Sequence, residues 1–252
     1  SFKIDNMRFN AIPVSGKSIK DQSVSPGKIN IRSNLSVDGN LLIDSYGKIL
    51  IQDSKIKASD SIRLVSSSPR QNTTVRFEKQ DQNRVVLLNS SLAAARGNLD
   101  IDVDRRFLDL DNQTYQSRNL NGQASAAPAI QLHQSDLDAG GTMRLHARVN
   151  DHPGGMIPSI LEIDASDLQS SRLLSIKGVI NTNESLKNSI AVALTGRSSF
   201  SSDHQIRILG LFDSGVDLAR SEAVSIDNDA SIRFYAPVKI IGRITDFHTA
   251  KP

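Results

Sequence analysis

The chain of 252 residues contains no cysteine and no tryptophan, and aromatic residues make up only 4% of it. Without cysteine there is no disulfide framework, no thiolate-held zinc or iron–sulfur cluster, and no cysteine nucleophile. So few aromatics leave little for stacking against nucleic-acid bases. Long apolar runs are missing too, and none approaches the ~20 residues that a membrane-spanning helix requires. Nor does one sign of charge dominate: 30 Lys and Arg stand against 27 Asp and Glu, a formal net charge of +3. The basic residues are scattered, and the one local pair, Arg105–Arg106, lies between Asp104 and Asp109. This reads as a solvated surface of mixed charge, with no nucleic-acid partner. No secretory leader is legible at the polar start of the chain, which opens on Ser1 rather than Met. Together with the lack of cysteine, that start gives the expectation of a fragment of an exported bacterial protein.

What the sequence does have is alternation. Apolar and polar residues trade places every second position, the period of a strand with one face inward, while helical spacing is nearly absent. Ile29 and Ile31, Leu35 and Val37, Leu99, Ile101 and Val103, and Ile206 and Ile208 are examples. Ser, Asn, Asp and Gly separate these short runs, as turn formers do between strands.

The runs also repeat. The positions Ile51, Ser54, Ile56, Ala58, Ile62 and Leu64 recur as Leu132, Ser135, Leu137, Ala139, Met143 and Leu145. They recur again as Ile163, Ser166, Leu168, Ser170, Leu174 and Ile176, and, with one inserted residue, as Leu87, Ser90, Leu92, Ala94, Leu99 and Ile101. Ser198, Phe200, Ser202, Ile206 and Ile208 fit similarly, and upstream Leu35, Val37, Leu41 and Ile43 precede Ile56, Ala58, Ile62 and Leu64. The unit is Φ-x-Φ-x-x-S-x-Φ-x-[A/S]-x-x-x-Φ-x-Φ, with Φ apolar. One such unit cannot bury its apolar side alone, but stacked units bury a continuous column. The predicted fold class is therefore all-β, a right-handed parallel β-helix with looped-out insertions at Ser66–Asn83, Asn112–Ala127 and Val149–Ser159. A single domain over 1–252 is expected, with 1–28 a less regular N-terminal segment. Eight to ten coils would make a rod on the order of 40–50 Å long.

The segments ILIQDSKIKASDSIRL, IQLHQSDLDAGGTMRL and VLLNSSLAAARGNLDI resemble the repeats of filamentous-haemagglutinin-like exoproteins, the β-helical passengers of bacterial two-partner secretion. Ala139-Gly140-Gly141 and Arg96-Gly97-Asn98 carry that family's small-residue and glycine turn, and the likeness covers Ile29 to Ile208 with a weaker tail to Phe234. The resemblance implies a secreted or cell-surface rod that acts in adhesion, presents another domain, or serves contact-dependent competition. Its partners would be a receptor or glycan on a host or neighbouring cell, and an outer-membrane transporter during secretion.

No catalytic constellation stands out. The five histidines, His133, His146, His152, His204 and His248, form no metal-binding spacing. Asp100, Asp102 and Asp104 alternate with Leu99, Ile101 and Val103 and so face solvent, with Arg105 and Arg106 available to neutralise the row. No P-loop, G-x-G-x-x-G or calcium nonapeptide occurs, and the expected cofactor and metal sets are empty. Of five N-x-S/T sequons, at Asn34, Asn72, Asn89, Asn112 and Asn183, the candidates for glycosylation are Asn72 and Asn112, which fall in the expected loops. The expectation is an adhesin or stalk without enzymatic activity. The alternatives are a β-helical polysaccharide lyase or hydrolase using Asp100, Asp102 and Arg105, and a trimeric phage tail fibre or spike.

Overall fold

A computed structural model of the chain describes residues 5–11, 28–45, 47–67, 83–106, 127–150, 156–157, 159–182, 186–214, 218–227 and 230–245. Among the described residues every regular element is a β-strand. The chain begins with β1 (Asp5–Ala11), β2 (Ile29–Ile31) and β3 (Leu35–Ser45). There follow β4 (Lys48–Gln52), β5 (Lys55–Ala58) and β6 (Ile62–Ser67), then β7 (Arg84–Leu88), β8 (Ser91–Ala94) and β9 (Leu99–Arg106). The next repeats are β10 (Ile130–His133), β11 (Asp136–Ala139) and β12 (Met143–Asn150), and β13 (Leu161–Asp164), β14 (Asp167–Ser170) and β15 (Leu173–Thr182). The last are β16 (Leu186–Lys187), β17 (Ile190–Thr195), β18 (Ser199–Ser202) and β19 (Gln205–Ser214), then β20 (Leu218–Ala219), β21 (Glu222–Ile226), β22 (Arg233–Phe234) and β23 (Val238–Thr245).

These strands form three parallel sheets. The first runs β2-β4-β7-β10-β13-β17-β21. The second runs β3-β5-β8-β11-β14-β18-β22, and the third runs β1-β3-β6-β9-β12-β15-β19-β23. β3 serves two sheets because it bends at Gly39, whose φ of 104° suits glycine alone. β16 and β20 pair separately. Each repeat thus lays one strand on each sheet, and the next repeat pairs with it strand for strand. The first sheet is seven-stranded, so the described residues hold seven repeats, with β1 beside the first of them, rather than eight to ten.

The pairing follows the register that alternation predicts. Ile51 pairs with Leu87, Leu87 with Leu132, Leu132 with Ile163, and Ile163 with Leu194. Ile56, Leu92, Leu137, Leu168 and Phe200 form a second column, and Ile62, Leu99, Met143, Leu174 and Ile206 a third. All fifteen are buried, and the inward residues of the three sheets join one core. Full burial of each such side chain stabilises by roughly 1.5–3 kcal/mol, and the column only forms if the register holds. Parallel sheets usually have both faces covered, but here the outer faces carry polar residues, which is why alternation was visible at all.

The first corner, between the first and second sheets, is a strand end, a left-handed residue, then a buried serine. There Asp53, Asn89, Gln134 and Ala165 have φ of 46–50° and precede Ser54, Ser90, Ser135 and Ser166; Asn188 and Arg220 (φ 49° and 54°) precede Ser189 and Ser221 in the same way where β16 and β20 lead into the first sheet. The serines form a ladder. The N–H of Ser54 donates to Ser90 Oγ (3.2 Å), Ser90 N–H to Ser135 Oγ (3.4 Å), Ser135 N–H to Ser166 Oγ (3.1 Å) and Ser166 N–H to Ser198 Oγ (3.1 Å). The hydroxyls of Ser54, Ser90, Ser135 and Ser166 each donate to the carbonyl two residues back, as Ser135 Oγ does to His133 O at 2.9 Å, and Ser198 Oγ donates to Thr195 O at 3.1 Å. A corner that tilts backbone N–H groups away from the sheet ladder needs such acceptors, since an unpaired buried N–H is costly. At the second corner space is tight: a Cβ on Gly140 would lie 2.1 Å from the Ala95 carbonyl oxygen. Within β19, a Cβ on the inward-facing Gly210 would lie 1.7 Å from Ala223 O of β21, so glycine there lets the third sheet approach the first.

The three connections expected as insertions all join the third sheet to the first, between β6 and β7, β9 and β10, and β12 and β13. Residues 68–82, 107–126 and 151–155 of them lie outside the described residues. Within the segment 1–28, β1 pairs in parallel with β3.

Two stability predictions follow from the first corner. Ser135→Ala removes one acceptor and one donor from the ladder and is expected to cost about 1–3 kcal/mol in urea unfolding, with an unchanged m-value. Ala165→Asn places a residue that tolerates the left-handed region beside Gln134 and is expected to raise stability by up to ~1 kcal/mol. A Ser135→Ala protein as stable as the wild type would show the ladder to be energetically idle.

Candidate functional site

The acidic row lies where alternation places it. Asp100, Asp102 and Asp104 stand on the outer side of β9, half-buried, opposite the buried Leu99, Ile101 and Val103. Parallel register then supplies their neighbours. Arg63 and Arg144 flank Asp100, Val65 and His146 flank Asp102, and Ser67 and Arg148 flank Asp104. Asp104 Oδ1 accepts from Asn150 Nδ2 at 2.7 Å. One oxygen of Asp100, Oδ1, is buried with no hydrogen-bond partner. Burial raises the Asp100 carboxyl above its ordinary value, outweighing the opposing pull of Arg144 and Arg63, and Asp102 pushes it up further.

Beside Asp100, a cleft of about 250 Å³ opens on the second corner. Its polar lining is Asn40, Ser61, Asn98, Arg63 and Asp100. The corner residues are already engaged with each other: Ser61 N–H donates to Asn40 Oδ1 (3.2 Å), Asn98 N–H to Ser61 Oγ (3.0 Å) and Thr142 N–H to Asn98 Oδ1 (2.9 Å). Asp100 lines the cleft as well, its Oδ1 buried and without a hydrogen bond.

His146 Nδ1 stands 3.8 Å from Asp102 Oδ1, close enough for an ion pair if the ring were charged. Burial instead lowers its pKa, and Lys177 and Arg148 act in the same direction against Asp102 and Asp104. The geometry and the charge preference disagree, and burial decides: the imidazole is neutral at pH 7, with Nε2 buried and unpartnered.

Arg105 departs from the expected arrangement. By sequence it belongs with the acidic row as a neutralising partner and, in the enzyme alternative, as a groove residue beside Asp100 and Asp102. In the structure it is buried and points inward, two residues on from Val103 in the same alternation. Its guanidinium donates to backbone carbonyls at the third corner: Asn83 O from Nε (3.2 Å) and Nη2 (3.1 Å), and Ala127 O from Nη1 (3.1 Å). It pins the chain where two insertions end, on the opposite side of the strand from the carboxylates. Position 105 continues the inward series of Leu99, Ile101 and Val103, so the period of the strand, rather than the charge of the side chain, decides its direction.

The first sheet carries a second polar cluster that sequence reading missed. His133 Nδ1 and Asp164 Oδ2 are 2.5 Å apart, and Thr195 Oγ1 donates to Asp164 Oδ1 at 3.1 Å. These residues lie far apart in sequence and meet only because β10, β13 and β17 are in register. The line orients the imidazole on a half-exposed strand face.

Of the other predicted residues, Asn72 and Asn112 lie outside the described residues, as do His152 and His248. Asn34 and Asn89 are exposed, but both work in the first corner: Asn34 Oδ1 accepts from Lys55 N–H (2.8 Å) and Asn89 Nδ2 donates to Asp53 Oδ1 (3.2 Å). Among the described residues no three His, Asp or Glu side chains cluster as a metal site would require, and no helix is long and apolar enough to cross a membrane. Compared with known proteins, the chain matches no family model, no curated protein and no solved structure.

Because the folded pKa of Asp100 lies above its unfolded value, the native state binds this proton more readily than the unfolded chain. The ionised carboxyl therefore costs stability once pH rises through the folded pKa, and that cost is absent below about pH 3.8. Asp100→Asn is expected to melt higher than the wild type at pH 7, with the difference gone at pH 3. An equal or lower melting temperature at pH 7 would contradict the burial argument.

Proposed function

We propose that the chain is a segment of a secreted or surface-exposed bacterial adhesin or stalk, built as a right-handed parallel β-helix with looped-out insertions. The observation that carries this reading is the three-sheet parallel stack, in which every repeat pairs in register with the next. Strands joined by crossovers within one parallel sheet are right-handed in about 98% of cases, which supports that hand here. At about 4.8 Å per repeat, seven repeats extend roughly 34 Å along the stack. The turn residues that resemble filamentous-haemagglutinin-like repeats, Gly97, Gly140 and Gly141, stand where a Cβ would collide with the preceding repeat. That gives the resemblance a steric basis and supports a two-partner secretion passenger, exported through an outer-membrane transporter.

Function on such a scaffold comes from its outer faces and from the insertions gathered at one corner, since loops on a rigid frame carry recognition. The partner on this reading is a receptor or glycan of a host or neighbouring cell, and no chemical turnover is required. The enzyme alternative needed Asp100, Asp102 and Arg105 on one side of β9, and Arg105 lies on the other.

The test is direct. Labelled protein is expected to attach saturably to cell surfaces, to remain monomeric by light scattering, and to release no new reducing ends or unsaturated products from a panel of polysaccharides. Depolymerisation of any of them would replace the adhesin with the enzyme, and a trimer would favour the fibre.

A further inference from the structure

The near-neutral net charge conceals a segregation across the strands: on the outer side of the third sheet, Asp100, Asp102 and Asp104 of β9 give way to cations from β12 onward. From the fourth repeat onward, the outer positions of the third sheet are Arg144, His146 and Arg148 on β12, Ser175, Lys177 and Val179 on β15, Arg207, Leu209 and Leu211 on β19, and Lys239, Ile241 and Arg243 on β23. Six are cations, and the acid on these strands' outer side is Asp213, at the far end of β19. The second sheet is opposite in sign: its outer positions on β11 and β14 are Asp136, Asp138, Asp167 and Gln169. The first sheet carries Gln131, His133, Glu162 and Asp164 on β10 and β13. The cations are scattered in sequence, and register alone collects them.

Arg144, Arg207, Lys239 and Arg243 are exposed, and Arg148 and Lys177 are half-buried. Lys177 and Arg148 both disfavour charge on His146, so the patch adds no further proton at neutral pH. The cations are spread in two dimensions. Arg144, Arg207 and Lys239 share one column across the strands, Lys177 lies in the next with His146, and Arg148 and Arg243 in a third. A single linear polyanion laid along one column meets at most three of the six. A flat anionic layer meets all of them, and it also accepts the apolar side chains set between them, half-buried Leu209 and Leu211 and exposed Ile241. Interleaved cations and apolar side chains are what binds a protein to the surface of an anionic bilayer.

We propose that the outer face of the third sheet, over β12, β15, β19 and β23, docks flat on an anionic lipid surface. The reading deepens the attachment function above and rests on it, naming the surface to which this face binds. Each cation held near such a surface multiplies partitioning by about fivefold, and the effect fades with salt.

The experiment is sedimentation of the intact chain with vesicles of phosphatidylcholine alone or with phosphatidylglycerol at one third. Binding is expected only to the anionic vesicles and is expected to fall steeply between 50 and 500 mM salt. Arg207→Glu/Lys239→Glu is expected to bind at least about tenfold more weakly. Lys55→Glu/Lys57→Glu makes the same change in net charge on the exposed outer side of β5, on the second sheet, and is expected to bind as the wild type does. Circular dichroism checks that each variant is folded. Equal losses in both double variants would reduce the effect to net charge and overturn the proposal. So would wild-type binding to neutral vesicles as strong as to anionic ones, or dextran sulfate or duplex DNA held more tightly than anionic vesicles. Cell attachment that persists without vesicle binding would sink this inference and leave the adhesin reading standing. Vesicle binding without attachment to any cell would sink the adhesin reading that it rests on.

Discussion

Parallel pairing in register is the constraint on which the molecule depends. A strand of four residues such as β11 has too little apolar surface to hold itself in place. It is fixed because Leu137 and Ala139 sit between Leu92 and Ala94 on one side and Leu168 and Ser170 on the other. A slip of one residue would turn Asp136 and Asp138 into the core and cost several buried apolar side chains at once. The corners answer to the same constraint. The serine ladder has the spacing of the sheets because each serine must receive the N–H of the serine one repeat before it.

Much of this was legible from residues alone. The six-position unit could be aligned because outer faces meet water, which preserves alternation that sheets covered on both sides lose. Ser54, Ser90, Ser135, Ser166 and Ser198 were recognised as turn residues, although the hydrogen-bond ladder that unites them was not. The left-handed positions were not legible. Asp53, Asn89 and Asn188 are of the type that tolerates positive φ, but Gln134, Ala165 and Arg220 give no such hint, and the turns into and out of the first sheet impose the conformation on them.

The polar clusters were legible in part. Asp100, Asp102 and Asp104 were placed correctly on the outside because that inference is local to one strand. Arg105 was misplaced for a local reason too, with its charge allowed to override its parity. His133 with Asp164, and the gathering of Arg144, Lys177, Arg207 and Lys239, are different in kind. They depend on which residues of distant repeats become neighbours, and that depends on the lengths of the insertions between repeats. The charge pattern looked random because it was read along the chain, whereas its order runs across the strands.

Arg105 and the placement of the long connections have a consequence for how such a molecule can change over time. Every sizeable addition joins the scaffold along a single seam, and a guanidinium fastens the carbonyls at two of the roots. Lengthening, shortening or exchanging what hangs from that seam need not disturb the packing of the two remaining edges. Novelty can accumulate along one margin of the protein while the pattern that makes it fold is inherited unaltered.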